Sequence, residues 1–141
     1  WLEACVWPDQ VERFDRLKNA ISLARHHDIV VHRGDAVDNV APLIETAVSH
    51  GHPVVTTSWV LNYLSPERRT AFVNELDRIG SSRDLSWVIA ESPFETPELP
   101  GHAGSNELIT VITLVTWRQG KQNVQRLATT HPHGHWIKWG E

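Results

Sequence analysis

The sequence predicts an α/β fold, a three-layer sandwich around a mostly parallel sheet that ends in a C-terminal antiparallel hairpin. Two observations lead to this prediction. Short β-branched runs alternate with segments whose apolar residues recur every three or four positions, as expected for parallel strands joined by crossover helices. Near the C-terminus, two longer β-rich runs flank a turn, which indicates a hairpin. A chain of 141 residues suffices for one domain, and we expect a single partial domain over 1–141.

The first part of the chain contains an apolar run, a helix and a strand. Residues 2–7 form the apolar run, which Pro8 ends. Apolar residues then recur at positions 11, 14, 17, 21 and 24, which predicts a helix to about Arg25. The β-branched residues 29–31 predict a short strand, which leads into the turn Gly34-Asp35-Ala36.

Two more helices and two more strands follow in the middle of the chain. Asp38 or Asn39 is expected to cap a helix that reaches residue 48, and residues 54–57 predict a second buried strand. The Ser-Pro-Glu sequence at 65–67 predicts another helix, because a hydroxyl cap, a proline and an acid suit a first turn. That helix ends at a glycine at position 80, and residues 85–90 predict a third strand.

The C-terminal part of the chain predicts a loop and a hairpin. Residues 92–105 contain three prolines and two glycines, so we expect an irregular loop. The β-rich runs 108–117 and 123–130 pair around the turn at 118–121.

Composition disfavours several classes of function. The formal net charge is −4 and no run of Lys and Arg occurs, which argues against nucleic acid as a partner. No stretch approaches the roughly 18 apolar residues of a membrane span, so we expect no membrane segment. Cys5 is the only cysteine, which excludes an intrachain disulfide and a zinc site built from thiolates. Because no signal-peptide pattern is present either, we predict a cytoplasmic protein.

The turn Gly34-Asp35-Ala36 is the first candidate site. It follows a predicted strand and precedes a helix, and open α/β sheets bind ligands at that carboxyl edge. Glycine lets backbone approach a ligand, and a carboxylate accepts hydrogen bonds from amines or hydroxyls. The alternative is that Asp35 only ends the strand and helps to cap the next helix. The candidates that follow later strands at the same edge are Ser58, Trp59, Asn62, Tyr63 and Glu91.

The segment 58–80, together with Gly34-Asp35-Ala36, resembles class I S-adenosylmethionine-dependent methyltransferases. In that Rossmann-like fold, an apolar strand leads to an apolar-polar turn similar to residues 60–64, and then to a helix that ends at glycine. The resemblance implies S-adenosylmethionine as the cofactor, with Asp35 accepting a hydrogen bond from the adenine amine. The glycine-rich first loop and the first strand of that fold are absent from this sequence.

The same resemblance distributes the remaining candidates between cofactor and substrate. Gly34, Ala36, Ser58 and Trp59 are expected at the cofactor. The residues expected at a small-molecule substrate are Asn62, Tyr63 and Glu91, and Glu91 could serve as a base or an anchor. The alternative interpretation is that Trp59 and Tyr63 are ordinary core residues and that Glu91 is a surface carboxylate.

A narrower resemblance covers nearly the whole chain. The sequences at 7–10, 63–68 and 131–134, together with Gly34-Asp35-Ala36, are similar to an uncharacterised bacterial family, the domain of unknown function 2332. That resemblance implies a longer parent with a glycine-rich loop upstream. The lack of methionine and the apolar start also lead us to expect a fragment.

Two further sets of residues have competing interpretations. Asp9 is either the acid that binds ribose hydroxyls in a methyltransferase or an acid stabilised by a helix N-terminus, and we favour the second. The three histidines His131, His133 and His135 would share one face of a strand, as in some metal sites. Pro132 and the glycine at 134 disfavour a regular strand there, so we predict no metal site.

These observations predict an S-adenosylmethionine-dependent methyltransferase-like domain that acts on a small molecule. Methyl transfer depends chiefly on alignment of the reacting atoms, so no catalytic side chain can be named in advance. The alternative from another class is a non-catalytic methyltransferase-like scaffold or binding module. A nicotinamide enzyme is disfavoured by the terminal hairpin. The oligomeric state is left open.

Overall fold

The computed structural model describes residues 1–102 and 107–140, and the chain forms two compact units, Trp1–Arg33 and the residues from Gly34 onward. The first unit contains a 3₁₀ turn over Leu2–Cys5 and helix α1 over Val11–Ala24. The helix predicted in this part of the chain is confirmed. No residue of α1 is buried.

The strand predicted at 29–31 is wrong. These residues form no strand, and Ile29, Val30 and Val31 are 64%, 72% and 87% exposed. β-branched side chains suit extended backbone, but a strand persists only where a neighbour accepts its hydrogen bonds. The N–H of Ile29 donates instead to the carbonyl of His27, 2.9 Å away, within a local turn.

The second unit contains the sheet and two helices. In chain order its elements are α2 (Ala36–Val48), β1 (Val54–Ser58), a 3₁₀ turn (Leu61–Tyr63), α3 (Pro66–Gly80), β2 (Leu85–Glu91), β3 (Thr110–Arg118), β4 (Lys121–Thr130) and β5 (Ile137–Trp139). The strands lie in the order β1-β2-β3-β4-β5. β1 and β2 are parallel, whereas the other three pairs are antiparallel. The α/β class and the C-terminal hairpin are therefore confirmed, and the mostly parallel sheet is wrong.

The connection after β2 explains why the sheet is mostly antiparallel. A parallel return needs a long crossover, usually a helix, and none occurs between β2 and β3 in the residues described. The chain therefore re-enters the sheet from the end at which β2 leaves it. The two-residue turn Gln119-Gly120 and the turn at 131–136 reverse the chain twice more. Residues 92–102 form no helix or strand, and residues 103–105 of the predicted loop lie outside the described part of the chain.

Both helices of this unit pack on the same face of the sheet. The ring of Phe72 in α3 meets Trp87 of β2 edge-on, with 5.7 Å between centroids. Val88 and Leu114 alternate to the opposite face and are only partly buried. This unit thus has two layers, and the three-layer sandwich is not confirmed. The main buried residues of the core are Val40, Ile44, Phe72, Leu76, Ile79, Leu85, Trp87, Ile89, Val115 and Trp117.

Side-chain caps set the starts of both helices. Asp35 caps α2, since its carboxylate accepts a hydrogen bond from the Val37 N–H at 2.8 Å. The start predicted at Asp38 or Asn39 is therefore wrong by one turn. The predicted cap of α3 is confirmed, because the hydroxyl of Ser65 accepts a hydrogen bond from the backbone N–H of Arg68 at 3.3 Å. None of the helices in the described residues is long and apolar enough to span a bilayer.

Candidate functional site

The carboxyl ends of β1 and β2 form the edge at which the predicted site residues meet. β1 ends at Ser58 and β2 ends at Glu91, so both strands deliver side chains to the same end of the sheet. The backbone N–H of Trp59 continues the ladder by donating to the carbonyl of Ala90 at 3.1 Å. The chain then turns over the end of the sheet through residues 59–62, which we call the edge turn.

Glu91 lies beneath the edge turn and is fully buried. Its Oε1 accepts hydrogen bonds from the backbone N–H groups of Val60 at 3.0 Å and Leu61 at 3.2 Å. Burial raises the pKa of this carboxyl, while the two backbone donors and the positive charge of Arg69 act in the opposite direction. Among the described residues, the second carboxyl oxygen has no hydrogen-bond partner.

Trp59 holds an unusual backbone conformation at the start of this turn. Its φ is +50°, in the left-handed region that bulky residues rarely adopt. Its indole N–H donates to the hydroxyl of Thr110 at 2.7 Å, which ties the side chain to the first residue of β3. Such a conformation costs of the order of 1–3 kcal/mol and persists only where surrounding contacts compel it.

The other predicted residues of this region are placed unevenly. Asn62 is half-buried, and its Oδ1 is enclosed without a hydrogen-bond partner among the described residues. Tyr63 is 83% exposed, and Ser58 is exposed at the end of β1. The structure therefore brings Trp59 and Asn62 into the edge turn with Glu91 beneath it, whereas the side chain of Tyr63 is mostly exposed.

An apolar groove of about 370 Å³ lies between α2 and β1. The N-terminal ends of α2 and α3 meet at the end of the groove that lies near the carboxyl edge of the sheet. Arg68 in the first turn of α3 forms ion pairs there with Asp35 and Asp38. Residues of the edge turn close that end of the groove. The residues that line it are Ala36, Val40, Leu43, Ile44, Ala47, Pro53, Val54, Val55, Thr56, Thr57, Val60, Leu61, Leu64 and Phe72.

The turn Gly34-Asp35-Ala36 lies at the same end of the groove, and Ala36 lines the groove directly. Asp35 both caps α2 and pairs with Arg68, and the hydrogen bond from Arg68 lowers the pKa of its carboxyl. A Cβ on Gly34 would come within 2.3 Å of the side-chain nitrogen of Asn39, so glycine lets the Asn39 side chain approach the backbone there. Both residues thus have structural roles beside any role in binding.

A buried polar cluster beside Glu91 was missed by sequence reasoning. Arg69 is buried, pairs with Glu98 of the loop 92–102, and donates to the carbonyl of Leu64 at 2.8 Å. The Nδ1 of His102 lies 2.9 Å from the carbonyl of Thr96, and burial lowers the pKa of this imidazole. One available signal was that Arg69 precedes Phe72 by three positions, which places both on the same helix face.

The remaining candidates lie elsewhere. Asp9 stands in a turn ahead of α1, in the first unit. The rings of His131 and His135 stack with centroids 4.3 Å apart, and the N–H of His133 donates to Nδ1 of His131 at 3.0 Å. Within the described part of the chain, no group of three or more His, Cys, Asp or Glu side chains is arranged to hold a metal ion.

Comparison with known proteins identifies a family and nothing narrower. The family described as "Uncharacterized protein conserved in bacteria (DUF2332)" matches residues 1–139. No curated protein and no solved structure matches the chain. Since the match spans almost the entire sequence, the chain belongs to this family of uncharacterised bacterial proteins.

Proposed function

We propose that this protein binds S-adenosylmethionine at the carboxyl edge of its sheet and methylates a small molecule. The observation that supports the proposal is the α2–β1 groove, which is lined by Ala36, next to the helix cap Asp35, and by residues of the edge turn. Its volume of about 370 Å³ lies within the range of small-molecule sites. The apolar walls suit the flat adenine ring of this cofactor.

The residues around Asp35, at this end of the groove, fit the adenosine half of the cofactor. Asp35 uses Oδ1 for the Val37 N–H and for Arg68, but an ionised carboxylate offers about four acceptor positions. It can therefore also accept a hydrogen bond from an adenine amine, with the backbone of Ala36 and Val37 beside the ring. Bound there, the cofactor would supply an electrophilic methyl group. The contribution of the chain would be alignment of the acceptor near residues 58–63.

Calorimetric titration of S-adenosylhomocysteine into the protein tests this proposal. Asp35→Ser keeps a side-chain cap for α2 but removes the carboxylate beside the groove, so we expect binding weakened about tenfold or more. Asp38→Ser is the matched control, because it removes the other acid that pairs with Arg68 and leaves Asp35 in place. Equal weakening by both substitutions would assign the effect to Arg68 and contradict a direct role for Asp35.

A non-catalytic binding module is the second candidate. The observation that favours it is that capping and the ion pair already account for Asp35. Absence of binding at millimolar S-adenosylhomocysteine, in protein shown to be folded by circular dichroism, would reject the methyltransferase proposal. The groove would then be interpreted as a site for another apolar ligand.

A further inference from the structure

The edge turn forms the end wall of the α2–β1 groove. Val60, Leu61 and the following Leu64 line the groove at this end. The backbone N–H groups of the first two residues donate to Glu91, which does not line the groove, at 3.0 and 3.2 Å. The position of the wall is therefore set from beneath by one carboxyl oxygen.

Two other contacts, one to β2 and one to β3, hold the turn in the same place. The N–H of Trp59 donates to Ala90 at the end of β2, and its indole donates to Thr110 at the start of β3. These bonds hold the turn to the sheet, but among the described residues the N–H groups of Val60 and Leu61 have no acceptor except Glu91. Buried donors that lose their acceptor destabilise the conformation that encloses them.

We propose that Glu91 is a positioning residue that sets the end wall of the groove and thereby the affinity of the groove for its ligand. Its side chain is completely enclosed, so it acts through the edge turn and does not touch the ligand. The inference rests on the groove being a ligand site, as in the proposed function, but it does not depend on the identity of the ligand.

The charge on Glu91 should control how firmly the wall is held. An ionised carboxylate accepts shorter and stronger hydrogen bonds than a neutral acid. Burial raises the pKa of Glu91 above its ordinary value of 4.5. The positive charge of Arg69, which forms an ion pair with Glu98, acts on this pKa in the opposite direction. As the pH rises through the pKa that Glu91 has in the folded protein, its carboxyl ionises and its hydrogen bonds to the N–H groups of Val60 and Leu61 strengthen. Burial under the turn outweighs these bonds, however, because the pKa is raised. Ionisation therefore favours a turn that opens to water, and the wall is held most firmly below that pKa.

Proton–nitrogen correlation spectra over a pH series, recorded for the wild type and for Glu91→Gln, test this inference. We expect the amide signals of Val60 and Leu61 to titrate together in the wild type and to stay constant in the variant. The affinity of the groove for the apolar probe 8-anilinonaphthalene-1-sulfonate should change at the same midpoint in the wild type only. The matched control is Glu98→Gln, which alters the pair with Arg69 but does not touch the edge turn.

A second variant measures the size of the effect. Glu91→Leu removes both acceptors while keeping an apolar volume, and we expect probe affinity about tenfold lower in a protein that still melts cooperatively. Should this variant fail to fold, the pH series on Glu91→Gln decides the matter alone. Amide signals or probe affinity that titrate identically with and without the carboxyl would overturn the proposal. Loss of S-adenosylhomocysteine binding with retained, Glu91-dependent probe binding would reject only the cofactor.

Discussion

At the scale of single residues, the interior of this protein contains charged and polar side chains as well as an apolar core. The carboxyl of Glu91, the guanidinium of Arg69 and the imidazole of His102 are all enclosed near one end of the sheet. The sequence places Glu91 at that end because it follows an apolar strand. It does not show that the carboxyl is buried, since burial comes from the edge turn and from the loop 92–102 above it.

The hydrogen bond between Trp87 and Thr57 provides a test at this scale. The indole N–H donates to the buried hydroxyl of Thr57 at 3.0 Å. Thr57→Val keeps the shape and removes the acceptor, so we expect the free energy of unfolding in urea to fall by about 1–3 kcal/mol. Thr56→Val is the control, because the side chain of Thr56 is exposed and should change stability by less than about 0.5 kcal/mol. Equal losses would show that the hydrogen bond is unimportant.

At the scale of elements, local patterns predict the helices well and the strands less well. α1 follows from its apolar spacing, and α3 follows from its apolar spacing and its cap residue Ser65. Residues 29–31 are β-branched, as is typical of a strand, but no neighbouring strand pairs with them in the described part of the chain. β5 (Ile137–Trp139) was not predicted at all, because three residues are too few to show a pattern and their pairing to β4 is set across the turn at 131–136.

The cap of α3 gives a prediction for an element. Ser65→Ala removes the oxygen that accepts the Arg68 N–H, and we expect a loss of about 1 kcal/mol in the free energy of unfolding. Ser65→Asp should restore most of this stability, since aspartate is an equally good cap. Chemical denaturation of the three proteins measures both effects. A failure of aspartate to rescue would indicate that the hydroxyl acts through some other contact.

At the scale of the whole molecule, the loop 92–102 decides how the sheet is completed. Because it turns back at the end of β2 without a crossover helix, β3 runs antiparallel. The loop is also part of the packed core, since Leu99 is only 2% exposed and joins the main apolar cluster. A proline-rich composition predicts irregular backbone, but irregular backbone can still be fully packed.

Removing the anchor of this loop should therefore destabilise the entire sheet unit. We expect Leu99→Ala to lower the free energy of unfolding by about 2–5 kcal/mol, as for other buried leucines. Phe94→Ala, in the same loop but 56% exposed, should cost much less. Thermal unfolding followed by circular dichroism compares the two variants. A small effect of Leu99→Ala would show that the loop packs loosely and covers the sheet without supporting it.

The sequence by itself determined the α/β class, two of the helix starts and stops, the hairpin, and the end of the sheet to which Trp59, Asn62 and Glu91 belong. These follow from periodicity, capping and turn chemistry, which act over a few neighbouring residues. Only the tertiary structure decided the strand directions, the burial of Glu91 and Arg69, and the double role of Asp35. Each of these depends on partners about 30 residues away in the chain, which no local pattern specifies.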